Sequence, residues 1–143
     1  MIAVVIVALL ASIALPSFMD SIRKSRRSEA FAALSAVQQA QERWRGNHGS
    51  YASAMVNTAD AGSPANGLGL LETTASGYYG VALSGVSATG YTATATAVTG
   101  KSQAADGNCV RLSVRMNGGN IFYGSAAAAG DFDEGSDNRC WAR

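Results

Sequence analysis

Four cationic side chains stand within five consecutive residues in the first third of the chain and form its densest charged group: Arg23, Lys24, Arg26 and Arg27. Clustered cations attract phosphate, so DNA or anionic lipid headgroups are candidate ligands. The spacing equally predicts ion pairs of Asp20 with Lys24 and of Arg26 with Glu29. We favour such pairing, or a carboxylate of another chain. The net charge of only +1 argues against a bulk nucleic-acid binder.

A second charged group is acidic and lies near the C-terminus: Asp131, Asp133, Glu134 and Asp137. Carboxylate oxygens suit Ca²⁺, but Gly135 stands where a loop ligand would be needed. We therefore favour a solvated acidic loop over a calcium site. His48, the only histidine, has no neighbouring nucleophile or carboxylate pair. Because a glycine-rich phosphate loop is also missing from the sequence, we expect neither an enzyme nor a cofactor or metal site.

Cys109 and Cys140 are the only two cysteines. In a chain that opens with an apolar, export-type segment, such a pair is typical of one disulfide formed outside the cytoplasm. Closing a loop of this length contributes about 3–4 kcal/mol in the chain-entropy model. Two free thiols in a reducing compartment are the alternative interpretation.

The first nineteen residues contain no charge and predict a helix of membrane-grade hydropathy. The run is at the lower limit of a span, which needs about 20 residues. A signal peptide is disfavoured because no Lys or Arg precedes the run and the helical pattern continues beyond Pro16. A soluble core helix is disfavoured because the run is apolar on all sides. Pro16 predicts a kink or local break just before it.

The residues that follow predict an amphipathic continuation of this helix, ending near Gly46. Its apolar positions recur every three or four residues: Ile22, Ala30, Ala33, Leu34, Val37, Ala40 and Trp44. Phe31 lies off this stripe, which leaves open whether it packs inside the chain or against another chain. Residues 51–77 are rich in Ala, Ser, Gly and Asn, and they predict a long surface connection that packs little.

From Tyr78 onwards the apolar period changes to two, which predicts β-strands. The predicted strands are Tyr79 to Leu83, Tyr91 to Val98, Val110 to Met116 and a brief fourth strand, Asn120 to Tyr123. Short connections predict an antiparallel meander. One sheet face is apolar, and the helical stripe is the large partner available to cover it. The sequence therefore predicts an α+β fold.

The chain resembles a type IV pilin along its whole length. The resemblance is most specific in the first thirty residues, MIAVVIVALLASIALPSFMDSIRKSRRSEA, with Pro16 where pilins carry a helix-breaking proline. The stretch QERWRGNHGSY and the closing CWAR are most similar to PilE-like pilins of Gram-negative bacteria, which include filament subunits and minor pilins. The resemblance implies five regions: a hydrophobic N-terminal helix (1–24), its amphipathic half (25–46), an αβ-loop (47–77), an antiparallel sheet (78–124) and a disulfide-closed C-terminal region (109–140).

The resemblance also implies a function. The chain would be a structural subunit of a type IV pilus, an extracellular helical filament of identical or related pilins used in adhesion, twitching motility or DNA uptake. Before assembly it would lie in the inner membrane and meet the pilus assembly machinery. The implied filament-core positions are Val4, Val5, Val7, Ala8, Leu9, Ile13, Leu15 and Pro16. The stretch from Ala8 to Pro16 is implied to lose helical structure when the subunit joins the filament.

Two points distinguish this chain from the family pattern. Pilins normally begin with a methylated Phe followed by Thr-Leu-Ile-Glu-Leu, so we expect residues to precede Met1, including that Glu. Family members often carry a Gly at the position of Ala8.

Two alternative functions remain. One is a DNA-receptor minor pilin, for which further surface cations are available: Lys101, Arg111, Arg115, Arg139 and Arg143. Salt-dependent binding of duplex DNA would support it. The other is a type II secretion pseudopilin, which usually lacks a disulfide-closed C-terminal segment.

Overall fold

The computed structural model describes residues 2–58 and 66–141, without the side chains of residues 9, 11 and 14–17. It has one long helix, α1 (Ile2–Arg45), followed by a four-stranded antiparallel sheet in the order β1-β2-β3-β4. The strands are β1 (Tyr79–Ser84), β2 (Gly90–Ala97), β3 (Arg111–Asn117) and β4 (Asn120–Ala126). The predicted α+β meander is confirmed, with a fourth strand longer than expected.

Helix α1 is continuous across Pro16, so of the predicted kink or local break the break does not occur. Proline removes one backbone donor, and the hydrogen bonds on either side keep the remaining turns helical. The helix ends as predicted, and Gly46 N donates to Glu42 O at 3.1 Å. In the described ranges no helix has a stretch long and apolar enough to cross a membrane. The span expected in residues 1–24 is therefore not confirmed.

The core lies between one face of α1 and the inner face of the sheet. The predicted stripe supplies four buried helix residues: Ala30, Leu34, Val37 and Ala40. The sheet opposes them with alternating residues of its strands: Tyr79, Val81, Tyr91, Ala93, Ala95, Leu112, Val114 and Met116. The alanines of β2 are small, which lets the helix backbone approach the middle of the sheet. Ile22, Ala33 and Trp44 are only partly buried and mark the borders of the stripe.

Two connections shape the sheet. Gly118 and Gly119 join β3 to β4, and both have positive φ (56° and 87°), as a two-residue hairpin turn with a type I′ twist requires. The β2–β3 connection contains two short 3₁₀ helices, η1 (Ser102–Ala105) and η2 (Gly107–Cys109), and η1 contacts α1 near the middle of the helix. Gln103 of η1 is fully buried and donates to Arg23 O at 3.3 Å.

The αβ-loop has no helix or strand in its described parts, 47–58 and 66–77. It nevertheless packs closely, so the expectation of little packing is wrong. Met55 belongs to the core and Ala52 is 2% exposed. Gln41, buried on α1, donates through Nε2 to Ala52 O and accepts from Ala52 N, both at 2.8 Å. A fully buried polar side chain thus fastens the loop to the helix.

Residues 127–141, here called the C-terminal strap, wrap around the edge of β4. Asp133 and Ser125 exchange two backbone hydrogen bonds, at 3.0 and 2.8 Å. The strap then returns to the helix side of the sheet. There Trp141 stacks on Phe31 with 4.6 Å between ring centroids and donates to Gly124 O at 2.8 Å. Phe31 therefore packs inside the chain.

Candidate filament and nucleic-acid interfaces

The N-terminal half of α1 presents an apolar surface that no described part of the chain covers. Every described side chain from residue 2 to residue 21 is exposed. The large apolar ones are Ile2, Val4, Val5, Ile6, Val7, Leu10, Ile13, Phe18 and Met19, with exposures from 39% to 79%. Continuous apolar surface of this kind marks an interaction site.

This surface contains most of the positions that the resemblance assigns to a filament core. Val4, Val5, Val7, Ala8 and Ile13 are exposed. The side chains of the three remaining positions, Leu9, Leu15 and Pro16, lie outside the described ones.

One member of the cationic group is held inside the fold. Arg27 donates from Nε and Nη2 to the two carboxylate oxygens of Asp106, at 2.7 and 2.6 Å. Gln103 Nε2 also donates to Asp106, at 2.7 Å. The Asp106 side chain is 5% exposed, and its hydrogen bonds with Arg27 raise the pKa of the guanidinium further above its ordinary value. Burial, with a smaller contribution from the Asp106 charge, raises the pKa of the adjacent Tyr79 to about 12.

Of the other three cations, Arg23 and Arg26 have polar or aromatic partners and Lys24 has no ion-pair partner among the described residues. Arg23 contacts Asp20 at 3.3 Å, and the Asp20 side chain is 78% exposed. Arg26 donates to Ser102, and its Cζ lies 3.8 Å from the centroid of the Tyr78 ring. Lys24 is exposed, with no carboxylate at ion-pair distance among the described residues.

The two helical ion pairs expected from spacing, Asp20 with Lys24 and Arg26 with Glu29, do not form. Asp20 pairs with Arg23 instead. Glu29 accepts hydrogen bonds from the Ser76 hydroxyl and from Ser76 N, the latter at 2.8 Å. The first of these bonds is the main reason that the pKa of Glu29 is lowered. Glu29 has thus exchanged a contact along the helix for one across the fold, whereas Asp20 pairs with a different residue of the same helix.

A cleft of about 620 Å³ opens where the cationic group meets η1, η2 and the C-terminal strap. We call it the basal cleft. Its lining residues are Asp20, Arg23, Lys24, Arg27, Ala105, Asp106, Gly107 and Arg139. Four of these residues are cations and two are carboxylates. Arg139 is brought here by the bond between Cys109 and Cys140, which confirms the predicted disulfide.

The remaining candidate cations hold other parts of the fold. Arg111 donates to Ala127 O at 3.0 Å and also to Gly130 O, while its Cζ lies 4.8 Å from the Phe132 ring centroid. Arg115 forms a two-pronged ion pair with Glu134. Both arginines therefore fasten the strap to the outer face of the sheet.

Lys101 Nζ lies 5.1 Å from the Tyr78 ring centroid, opposite no carboxylate of the described chain. It thus shares the Tyr78 ring with Arg26. Arg143 lies outside the described residues.

The acidic loop and His48 have structural contacts. The hydrogen bonds from Arg115 lower the pKa of Glu134, and Asp133 accepts from Gly135 N at 2.9 Å. No group of three or more His, Cys, Asp or Glu residues in the described ranges is placed to hold a metal ion. His48 stacks on Trp44, with 3.9 Å between ring centroids.

Sequence reasoning missed Asp106 and Gln103 as organisers of the basal cleft. Both lie in an irregular connection, where no periodicity distinguishes a buried side chain from an exposed one. The sequence also gave no sign that Arg139 would reach the helix, although its place next to Cys140 was a hint that the disulfide would fix its position.

Comparison with known proteins gives one family. A family model described as "Type IV minor pilin ComP, DNA uptake sequence receptor" matches residues 16–113, about two thirds of the chain. The matched range runs from Pro16 into β3 and includes every residue of the basal cleft except Arg139. No curated protein matches the chain.

Proposed function

We propose a function for this chain from its family, since it belongs to the ComP family of type IV minor pilins. It is a minor subunit of a type IV pilus, and it captures DNA for uptake. As a type IV pilin it is a structural subunit of an extracellular filament. We infer from this that its work is assembly and binding rather than catalysis.

The observation that carries the proposal is the order of two surfaces along α1, an apolar surface followed by a cationic one. The described side chains of residues 2–19 are exposed and mostly apolar, and cations follow at Arg23, Lys24 and Arg26. None of these three has a buried carboxylate partner in the described structure. An apolar surface suits other pilins, whereas unneutralised cations suit a polyanion. One chain thereby combines a means of joining a filament with a means of holding DNA.

Filament assembly would use region 1–24. In the inner membrane its apolar side chains would face lipid, and its helical backbone groups would be satisfied internally. After extrusion by the assembly machinery, helices of neighbouring pilins would replace the lipid. Such packing contributes roughly 25 cal/mol per Å² of apolar surface that would otherwise meet water. Head-to-tail contacts need not close, so they propagate as a helical filament.

Region 25–46 would connect this filament core to the outer part of the subunit. Its buried stripe already packs on the sheet, so the sheet, the αβ-loop and the C-terminal strap would be carried on the outside of the filament. The DNA-binding groups would then lie close to the junction of the two halves of α1. A position near a filament end, where the base of the subunit is less covered, suits a minor pilin.

The DNA role is tested with the full chain in detergent micelles and a labelled DNA duplex. We expect binding at low salt that weakens steeply as salt is raised, because phosphate contacts release counterions. Absence of duplex binding at low salt would overturn the DNA role. Empty micelles and micelles that carry an unrelated single-helix membrane protein are the controls.

The filament role is tested by mass spectrometry of pili sheared from cells. We expect the chain to be present in much smaller amount than the principal pilin. Its absence from the pili would overturn the assignment as a pilus subunit. If it were itself the principal protein, the minor-pilin part of the proposal would be wrong and a major filament subunit would be indicated.

A further inference from the structure

We propose that DNA phosphates bind in the basal cleft, with Lys24 and Arg139 as the principal contacts and Arg23 as a third. This inference rests on the proposed DNA-binding function, and it names the place on the molecule where the phosphates lie. It adds Arg139 to the cationic group recognised on the helix and removes Arg27 from it.

The partners of each cation decide which of them are free to bind. Arg27 and Arg115 are held by carboxylates, and Arg111 by two carbonyl oxygens. Arg45 contacts two carbonyl oxygens and lies over the Tyr51 ring. Three exposed cations have no carboxylate partner and no aromatic ring contact among the described residues: Lys24, Arg43 and Arg139. Two of these three line the same cleft.

The two carboxylates of the cleft do not cancel this positive charge. Asp106 is neutralised by Arg27 and by the Gln103 amide, and its side chain is almost fully buried. Asp20 is 78% exposed and pairs with Arg23 at 3.3 Å, a surface pair of little net strength. A phosphate can therefore replace Asp20 as the partner of Arg23. Lys24 and Arg139 remain uncompensated at the rim.

The backbone beneath these cations is fixed. Lys24 lies on α1 at the junction of its two halves, and Arg139 precedes the buried Cys140 of the disulfide. Trp141 anchors the same segment by stacking on Phe31 of the helix. The two cations thus come from distant parts of the sequence and face one cleft. Their long, flexible side chains can adjust to a phosphate while their Cα positions remain constant.

The lining of the cleft indicates a polyanion rather than a protein partner. Six of its eight residues are charged, and the other two are Ala105 and Gly107. The cores of protein interfaces are depleted of charge and enriched in aromatic residues, which this cleft does not supply. Phosphate contacts also carry no sequence information, so the cleft would position DNA and leave base recognition to other groups.

The test compares Lys24→Gln, Arg139→Gln and the double variant with the wild-type full chain in micelles. Duplex affinity is measured over a series of salt concentrations. Each single change should weaken binding similarly for unrelated duplexes and reduce the slope of log K against log salt by about 1. The double variant should reduce this slope by about 2. Arg139→Lys keeps the charge and should keep the slope.

Arg43→Gln is the matched control. It removes one exposed cation from the same helix about 28 Å away, at about 1.5 Å per residue. We expect it to retain the wild-type slope. Thermal unfolding of each variant should match the wild type, because the substituted side chains are exposed. If a variant unfolds at a lower temperature than the wild type, the same residue is changed to Ser instead. The salt slope of that second variant is then compared with the wild-type slope.

The outcomes separate the two proposals. If the wild type does not bind duplex DNA at low salt, the proposed function fails, and the cleft proposal fails with it. If the wild type binds and the double variant keeps both affinity and slope, only the cleft proposal is overturned. If the double variant binds DNA normally but is missing from sheared pili, the cleft is a contact between subunits, which also overturns the proposal.

Discussion

Individual polar side chains in this molecule act in two distinct ways. Some, such as Gln41, Gln103 and Asp106, are buried and join segments that are far apart in sequence. Others, such as Lys24 and Arg139, are exposed and remain available to a ligand. Residue type does not separate the two groups, since Arg27 belongs to the first and Arg23, four positions away, is paired only at the surface.

Gln41 allows this distinction to be tested. Gln41→Leu would leave both the N–H and the carbonyl of the buried Ala52 without their amide partner, at about 1–3 kcal/mol for each group. We expect the free energy of unfolding to fall by about 2–6 kcal/mol, the sum for the two groups. Gln39→Leu, the same change at an exposed position of the same helix, should stay within about 0.5 kcal/mol of the wild type. Chemical denaturation measures both, and equal effects would contradict the role assigned to Gln41.

At the scale of elements, the C-terminal strap is held by side-chain contacts and a disulfide as well as by backbone hydrogen bonds to the sheet. Two backbone hydrogen bonds, the Arg115–Glu134 pair and the Trp141 stack hold it along its length. The disulfide joins its end to η2 through Cys109. The same bond therefore stabilises the fold and positions Arg139.

The double change Cys109→Ser with Cys140→Ser should destabilise the chain by about 3–4 kcal/mol, from the loop-closure entropy that the disulfide removes from the unfolded state. The melting temperature should fall by roughly 10 °C. A thiol reductant should cause a similar loss in the wild type and no further loss in the double variant. An unchanged melting temperature would mean that the noncovalent contacts of the strap suffice by themselves.

At the scale of the whole molecule, α1 divides the chain into an exposed part and a folded part. The second half of the helix is covered by its own sheet, whereas the first half has no covering in the described structure. Stability of the folded part and entry into the filament should therefore respond to different residues. This separation is expected of a subunit that must fold first and polymerise afterwards.

Val5→Asp places a charge on the exposed apolar surface, where Val5 is 59% exposed. We expect the variant to be lost from sheared pili, because a carboxylate in an apolar filament core is strongly unfavourable. Its thermal unfolding should remain that of the wild type, since Val5 is outside the core. Thr99→Asp adds the same charge in an exposed loop and should assemble normally. Normal pilus incorporation of Val5→Asp would contradict the filament role of this surface.

The sequence by itself determined the features that depend on local pattern. Hydrophobic periods of about 3.6 and of 2 gave the helix and the strands, Gly118 and Gly119 gave the turn, and the only two cysteines gave the disulfide. The resemblance in the first thirty residues indicated a pilin. Of the kink or local break expected at Pro16, the break does not occur, because the loss of one hydrogen bond does not interrupt a helix that continues on both sides.

Only the tertiary structure decided which charges are neutralised and which are free. Arg27 pairs with Asp106, Glu29 accepts hydrogen bonds from Ser76, and Lys24 and Arg139 line the same cleft. Each of these relations joins segments that are distant in sequence. Their formation depends on how the helix, the 3₁₀ turns and the strap dock together, and hydrophobic periodicity carries no information about that docking. The sequence could therefore identify a cationic group, while the fold selected the members that can bind a phosphate.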